Sequence, residues 1–316
     1  MKEVVARNPS YAPAWALIAR AYTTRVNYSP AIQAQNPRAA DLMVEVQSSR
    51  QNAEPAARRS IELDPNLAQG YAALAFVEER AGKPIPAEEH YAKALALDPN
   101  DAETLLSYSN HLSNTGRIKD ALTFIQRGNA LEPFVPILNR DRAMIEWLDG
   151  DDNAALATFR SLASAQRDGL TLDDSVLRVV QLLAGAGRFK EAADTLEASE
   201  LRGQLEEAAK EAARLLRIAP NKAALPNPPI PLGAFDFVYL FVGAPEQVLV
   251  YYETIFEAGW MSNARTRVIW HTSYAPVRKT ERFKALMRKA GFVDYWRAKG
   301  WPEFCRPVGA EDFACS

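Results

Sequence analysis

Pro65, Pro99 and Pro133 stand 34 residues apart, and Gly82, Gly116 and Gly150 recur at the same interval between them. A period of that length, closed each time by a proline, marks one supersecondary unit repeated along the chain: a helix, a turn and a second helix. One such pair cannot bury its apolar face alone, so neighbouring units must stack on one another. The period therefore commits the chain to an all-α array, an α-solenoid built by lateral stacking.

The register within the period is common to several units. Tyr71, Leu74 and Ala75 occupy the first helix after Pro65, and Ala87, Tyr91, Ala94 and Pro99 the second. Leu105, Tyr108, Ser109 and Leu112, then Ala121, Ile125 and Gly128, repeat the scheme, and Trp15, Ile18, Ala19 and Tyr22 hold the first-helix positions after Pro9. Small residues recur where helices approach closely, and large apolar ones at three- and four-residue spacing fill the layer between them. The pattern resembles the tetratricopeptide repeat. That resemblance implies a right-handed superhelix whose first helices line a concave groove.

Read in order, residues 2–9 are expected to be the tail of a second helix, with the chain then the C-terminal part of a longer polypeptide; the alternative is an ordinary frayed terminus. Pro9 and Pro65 are separated by one period and an insertion at about 27–48, expected to be peripheral. The second helix of that unit is expected to resume at Pro55, a first-turn proline. The match weakens from Pro136 and returns between Asp173 and Ala198. Residues 204–219 are helical without an evident partner, and 200–232 is irregular. Pro226, Pro228, Pro229 and Pro231 make a stiff extended connector. A last helix pair is expected over Phe235–Tyr239 and Val248–Ile255. The repeat array thus spans 1–257, and 258–316 is expected to cap it, because a terminal repeat needs its apolar face covered. Four of the six tryptophans lie in that final segment, at 260, 270, 296 and 301, and aromatic side chains bury much area each.

Composition excludes several function classes. A net charge of −2 offers no general attraction to nucleic acid or anionic membrane. No apolar run approaches the 18 or so residues of a membrane helix, and Met1 to Arg7 lacks the form of a signal peptide. The expected chain is soluble and cytoplasmic, or periplasmic if the membrane-linked arrangement implied by the family resemblance of the tail applies. His90, His111 and His271 show no metal-ligand spacing, and no glycine-rich phosphate loop occurs. No cofactor, no metal and no catalysis are expected.

The tail carries a narrower resemblance. Ile269-Trp270-His271, Tyr274 to Arg278, Arg282-Phe283, Gly291, Tyr295-Trp296-Arg297, Gly300-Trp301-Pro302, Phe304 to Pro307 and Asp312-Phe313 follow in a distinctive order. This order resembles the C-terminal half of bacterial signalling proteins that join a winged-helix or nucleotide-cyclase output domain to tetratricopeptide repeats. The resemblance implies a sensory or regulatory role and transfers no catalytic residue. Neither output domain is present in this sequence.

The candidate binding residues follow from the repeat register, as that resemblance places it: Arg20, Thr24, Phe76, Glu79, Asn110, Asn114, Arg140, Met144 and Trp147 face the concave side. Aromatics, Met, Arg and Asn together suit a peptide or partner domain, with apolar anchors and side-chain hydrogen bonds. The alternative is packing between neighbouring helices. A carboxylate clamp is disfavoured, because Ala16, Ala72 and Leu106 stand where its Lys would be and Asp141 where a basic residue is needed. Cys305 and Cys315, ten positions apart, are either disulfide-bonded, which requires an oxidising compartment, or two reduced thiols. The expected function is a non-catalytic interaction module, either the regulatory half of a signalling protein or an autonomous assembly adaptor.

Overall fold

The computed structural model describes residues 1–33, 37–165, 169–199, 204–227, 229–230, 233–261 and 266–316. Among the described residues the regular secondary structure is helical apart from one short hairpin. The helices are α1 (Lys2–Arg7), α2 (Ala12–Arg25), α3 (Pro30–Gln33), α4 (Ala39–Leu63), α5 (Ala68–Arg80), α6 (Pro84–Leu97), α7 (Ala102–Asn114) and α8 (Ile118–Leu131). They continue as α9 (Pro136–Leu148), α10 (Asp152–Ala165), α11 (Gly169–Gly185), α12 (Phe189–Glu197), α13 (Gln204–Ile218), α14 (Leu249–Glu257), α15 (Ala275–Arg278), α16 (Glu281–Lys289) and α17 (Phe292–Lys299). Strands β1 (Cys305–Val308) and β2 (Asp312–Cys315) pair antiparallel, Cys305 opposite Cys315.

The turn inside each repeat has one chemistry. Gly82, Gly116 and Gly150 adopt φ of 73°, 88° and 99°, the left-handed region where a Cβ is penalised. The N–H that follows each glycine reaches back to the last helical turn: Lys83 to the Glu78 carbonyl, Arg117 to Leu112 and Asp151 to Glu146, each 2.9 Å. This is the six-to-one bond of a helix C-terminus closed by glycine, and it reverses the chain so that α5 meets α6 and α7 meets α8. The turn between repeats is closed by the aspartate before the proline. Asp64 and Asp98 accept the N–H of Asn66 and Asn100 at 3.0 and 3.2 Å, an Asx turn. Trp15 and Tyr71, at equivalent positions, donate to the carbonyls of Pro9 and Pro65 at 2.9 and 3.2 Å.

Two compact units result. The first comprises Met1–Phe134, Glu253–Arg267 and Leu286–Glu303. The second comprises Val135–Tyr252, Val268–Ala285 and Phe304–Ser316. The expected cap, 258–316, contributes to both units. In the first unit the core is built from the small and large apolar positions of the repeat, including Ala19, Ala57, Ala73, Leu74, Ala87, Tyr91, Leu105, Leu112, Ala121 and Ile125, all buried.

Three local expectations are corrected. Pro55 lies inside α4, which runs unbroken from Ala39 to Leu63. The buried stripe Leu42, Val46, Ser49, Ala53, Ala56, Ala57 and Ser60 continues across the proline at helical spacing, so packing outweighs the lost backbone hydrogen bond. Residues 204–219 have a partner: Arg217 of α13 bonds Asp194 and Glu197 of α12 at 2.7 and 2.6 Å. The first member of the expected last helix pair, Asp236–Phe241, is a 3₁₀ segment. Of the proline connector, Pro228 and Pro231 lie outside the described residues.

Candidate functional site

The inner residues of α2, α5 and α7 in the first unit meet side chains from the end of the same chain. Glu79 is buried and accepts from the Tyr91 hydroxyl at 2.9 Å and from Asn114 Nδ2 at 3.3 Å. Asn114 Oδ1 accepts from Thr266 Oγ1 at 3.0 Å, and Asn110 Oδ1 accepts from the Arg267 guanidinium. The guanidiniums of Arg20 and Arg80 lie over the Phe76 ring, 5.6 and 4.8 Å from its centroid. Arg80 also faces the Trp260 ring at 5.1 Å, and its carbonyl accepts the Met261 N–H at 3.2 Å. Thr24 is half-buried.

A second set of contacts anchors α17. Trp296 Nε1 donates to the Thr115 carbonyl at 2.9 Å. The Tyr295 hydroxyl meets Glu88, Thr115 and Arg117, while Arg117 Nη1 donates to both Glu88 oxygens at 2.9 and 3.1 Å. Burial, and then the neighbouring Glu88 carboxylate, push the Tyr295 phenol up, so it stays a proton donor. Asn110 and Asn114 thus meet residues of the same chain, while Phe76 and Glu79 are engaged by Arg20, Arg80, Tyr91 and Asn114. Residues that mix aromatic rings with Arg and Asn suit a partner segment, and here Trp260, Thr266, Arg267 and α17 supply aromatics, hydroxyls and a guanidinium.

Arg140, Met144 and Trp147 belong to the second unit. Arg140 lies 3.7 Å from Asp141, whereas Met144 and Trp147 are buried. Trp147 stacks on the His271 ring at 4.1 Å between centroids, so it packs rather than projecting to solvent. His271 Nδ1 accepts the Ser273 N–H at 3.3 Å and meets Ser273 Oγ at 2.8 Å, with Asp152 Oδ1 at 3.4 Å from Nε2. A serine, a histidine and an aspartate in that order suggest nucleophilic catalysis. Burial, with the Arg278 charge adding to it, lowers the His271 pKa to about 3, too weak a base to take a serine proton at neutral pH. Asp152 Oδ1 also makes no hydrogen bond. The histidine caps the 3₁₀ turn Thr272–Tyr274. Nearby, Arg278 is buried and donates to the carbonyls of Ile269, His271 and Ser316 at 2.6, 2.7 and 2.9 Å. Burial lowers its pKa to about 10, so it remains charged.

The histidine has a measurable consequence. Its folded pKa lies below the ordinary 6.5, so the folded state binds fewer protons than the unfolded one. Stability is full above pH 6.5 and falls as pH drops toward 3, by about 1.4 kcal/mol per pH unit for each such group. His111, which burial also shifts down, adds in the same direction. In urea unfolding curves between pH 7 and 4, His271→Gln will flatten this loss. An unchanged slope will contradict the placement of His271.

The described residues of the first unit leave openings on its surface. A cleft of about 160 Å³ lies on the inner side, between the N-terminal halves of α2 and α5 and the start of α7. Its walls include Ala16, Leu17, Arg20, Gln69, Ala72 and Glu103, and Arg20 pairs with Glu103 there. A larger one, about 1030 Å³, is bounded by α1, α2 and α4, with Val5, Trp15, Ile18 and Tyr22 among its apolar residues. No group of three His, Cys, Asp or Glu that could hold a metal ion occurs among the described residues. Nor is any described helix long and apolar enough to cross a membrane. Cys305 and Cys315 are joined as a disulfide across the hairpin.

No family model matches the chain. Over 64 residues it is 39% identical to the type IV pilus assembly protein PilF of Pseudomonas aeruginosa, a match covering 20% of this chain and 25% of that protein. The chain therefore spans about a quarter of the length of the curated relative it matches. Among solved structures, P. aeruginosa PilF aligns over 79% of this chain and 94% of its own, at 17% identity and a TM-score of 0.47. PilW, a type IV pilus biogenesis factor, aligns over 65% and 86%, at 18% identity and a TM-score of 0.47. YrrB, a tetratricopeptide-repeat protein with a peptide-binding site, aligns over 62% and 88%, at 17% identity and a TM-score of 0.40.

Proposed function

We propose that the chain is a non-catalytic interaction module of the tetratricopeptide-repeat type, which holds a segment of a partner protein against the inner side of α2, α5 and α7. The observation that carries this reading is the open inner cleft beside Arg20. There the small side chains Ala16 and Ala72 let a partner backbone approach closely, Leu17 is 47% exposed, and the Arg20–Glu103 pair offers both signs of charge. The C-terminal half of the same face is filled from within, so a partner enters at the N-terminal half. Of the nine residues expected to bind, Arg20 borders that opening.

The stretch shared with a pilus assembly protein favours a role in building a multiprotein structure. The order of residues in the tail favours the regulatory half of a signalling protein instead. What the cleft captures separates them. Purified chain carrying an affinity tag, incubated with lysate of the source cell and cross-linked, should retain a defined partner that Leu17→Arg and Arg20→Glu both release, with their helical content unchanged. A pilus or other assembly component as that partner supports the scaffold, and a cyclase or DNA-binding domain supports the signalling role. Equal capture by wild type and both variants places the binding surface elsewhere.

A further inference from the structure

The hairpin of β1 and β2, closed by the Cys305–Cys315 disulfide, packs on a buried cation of the second unit. The Arg278 guanidinium, in a residue 1% exposed, sits 4.3 Å from the centre of the Phe304 ring. Its Nε donates to the Ser316 carbonyl at 2.9 Å. Phe304 and Ser316 adjoin the two cysteines, and the Ser316 N–H donates to the Phe304 carbonyl at 2.8 Å. Phe313 of β2 is fully buried, and Asp312 lies 3.1 Å from Lys284 of α16.

A second nitrogen of the same guanidinium holds the turn that carries His271. Arg278 Nη1 donates to the Ile269 and His271 carbonyls at 2.6 and 2.7 Å, and the His271 ring stacks on Trp147 of α9. Disulfide, hairpin, Arg278, His271 and Trp147 thus form one series of contacts inside the second unit. Two groups in that series would gain from water. Arg278 is a buried cation, and Trp147 Nε1–H is buried without an acceptor among the described residues. Burying a charge or an unmet donor is costly. The hairpin covers Arg278 on one side, and two strands of four residues are marginal without a cross-link. The disulfide is the covalent tie that holds them.

We propose that the Cys305–Cys315 disulfide is a redox switch that governs access to the face of α9 bearing Trp147. Cys315 is the more exposed of the pair, half-buried where Cys305 is 5% exposed. A thiolate of a dithiol reductant attacks the Cys315 sulfur, and Cys305 leaves as a thiolate that takes up a proton. The second thiolate of the reductant attacks its own sulfur in the mixed disulfide and frees Cys315, which is protonated in turn. Two electrons and two protons pass to the protein, and the dithiol becomes a disulfide. The hairpin then opens, water reaches Arg278, the turn at His271 loosens and the ring of Trp147 is uncovered. The cleft beside Arg20 belongs to the first unit and does not depend on this switch.

The full chain is compared in its disulfide-bonded form and held reduced by dithiothreitol. Amides of β1 and β2 should exchange with deuterium about a hundredfold faster when reduced, as loss of a cross-link around so short a loop gives. The His271 N–H, which donates to the Val268 carbonyl at 3.0 Å, should also speed up. With fluorotryptophan incorporated, the Trp147 fluorine resonance is assigned from Trp147→Phe. A soluble paramagnetic agent should relax it in the reduced form alone, while the Trp296 resonance of the first unit stays unchanged. The double variant Cys305→Ser, Cys315→Ser should match the reduced protein with or without dithiothreitol. If it does not fold, the comparison on the wild-type chain still decides. Faster exchange in the hairpin with His271 and Trp147 unaltered overturns the switch and leaves a local staple. Equal exchange in both forms overturns it, as does joint exposure of Trp147 and Trp296, since reduction then unfolds the chain.

Discussion

Ala121→Glu will unfold the protein at a far lower urea concentration than wild type, with a loss of about 4 kcal/mol or more. Ala121 and its equivalent Ala87 are fully buried at the place in the period where the second helix presses against its neighbours. A carboxylate there enters unpaired, and a buried charge without a partner costs about 3–5 kcal/mol. The methyl-sized space also cannot hold the longer side chain without moving a helix. Ala121→Ser is the control for volume, with an expected loss of no more than about 2 kcal/mol. Both are read from chemical denaturation followed by circular dichroism. A variant Ala121→Glu that unfolds with the wild-type midpoint will contradict the assigned repeat register.

Removing residues 260–316 will convert a well-behaved chain into an aggregating one. In the first unit the deletion takes Trp260 from Arg80 and leaves Asn110, Asn114, Glu88, Arg117 and the Thr115 carbonyl without the partners that Arg267, Thr266, Tyr295 and Trp296 provide. In the second it removes His271 from Trp147 and Arg278 from the carbonyls it holds. Each buried polar group left unmet costs about 1–3 kcal/mol, and a large exposed apolar face drives association. Light scattering after size exclusion should show high-mass species that bind a hydrophobic dye. A monomeric truncated chain of unchanged thermal midpoint will show that the tail is dispensable to the fold.

The repeat was legible because its constraints are local. The glycine that must take a left-handed conformation, the aspartate and proline that close the turn, and the small residues at the tightest contacts recur at one spacing, so counting recovers them. Helix α4 was misjudged at Pro55 because a proline reads as a boundary, and only the buried stripe on both sides of it shows the helix continuing. The pairing of Arg217 with Asp194 and Glu197 has no periodic signature, since α13 follows α12 at a spacing that the 34-residue period does not share.

The candidate binding residues were read as a face open to a partner, with packing between neighbouring helices as the alternative. Asn110 and Asn114 meet Arg267 and Thr266 of the same chain, and nothing in the register says whether a partner or the same chain meets such positions. The signal lay in the tail, where Trp260, Tyr295, Trp296 and Arg267 bring ring, hydroxyl and guanidinium groups able to match that face. Composition marks such a segment as a cover. The separation of Thr115 from Trp296 by 181 residues puts their contact beyond any local reading.

The inner face of the first unit being filled from within is the claim on which the rest depends, and one proton reports it. Trp296 Nε1–H donates to the buried Thr115 carbonyl, so its exchange with solvent deuterium requires α17 to leave the face. Followed by nuclear magnetic resonance on the native chain, that indole proton should persist as long as the slowest amides of α7. Exchange as fast as that of a free indole, with the α7 amides still protected, will show that the tail does not occupy the face.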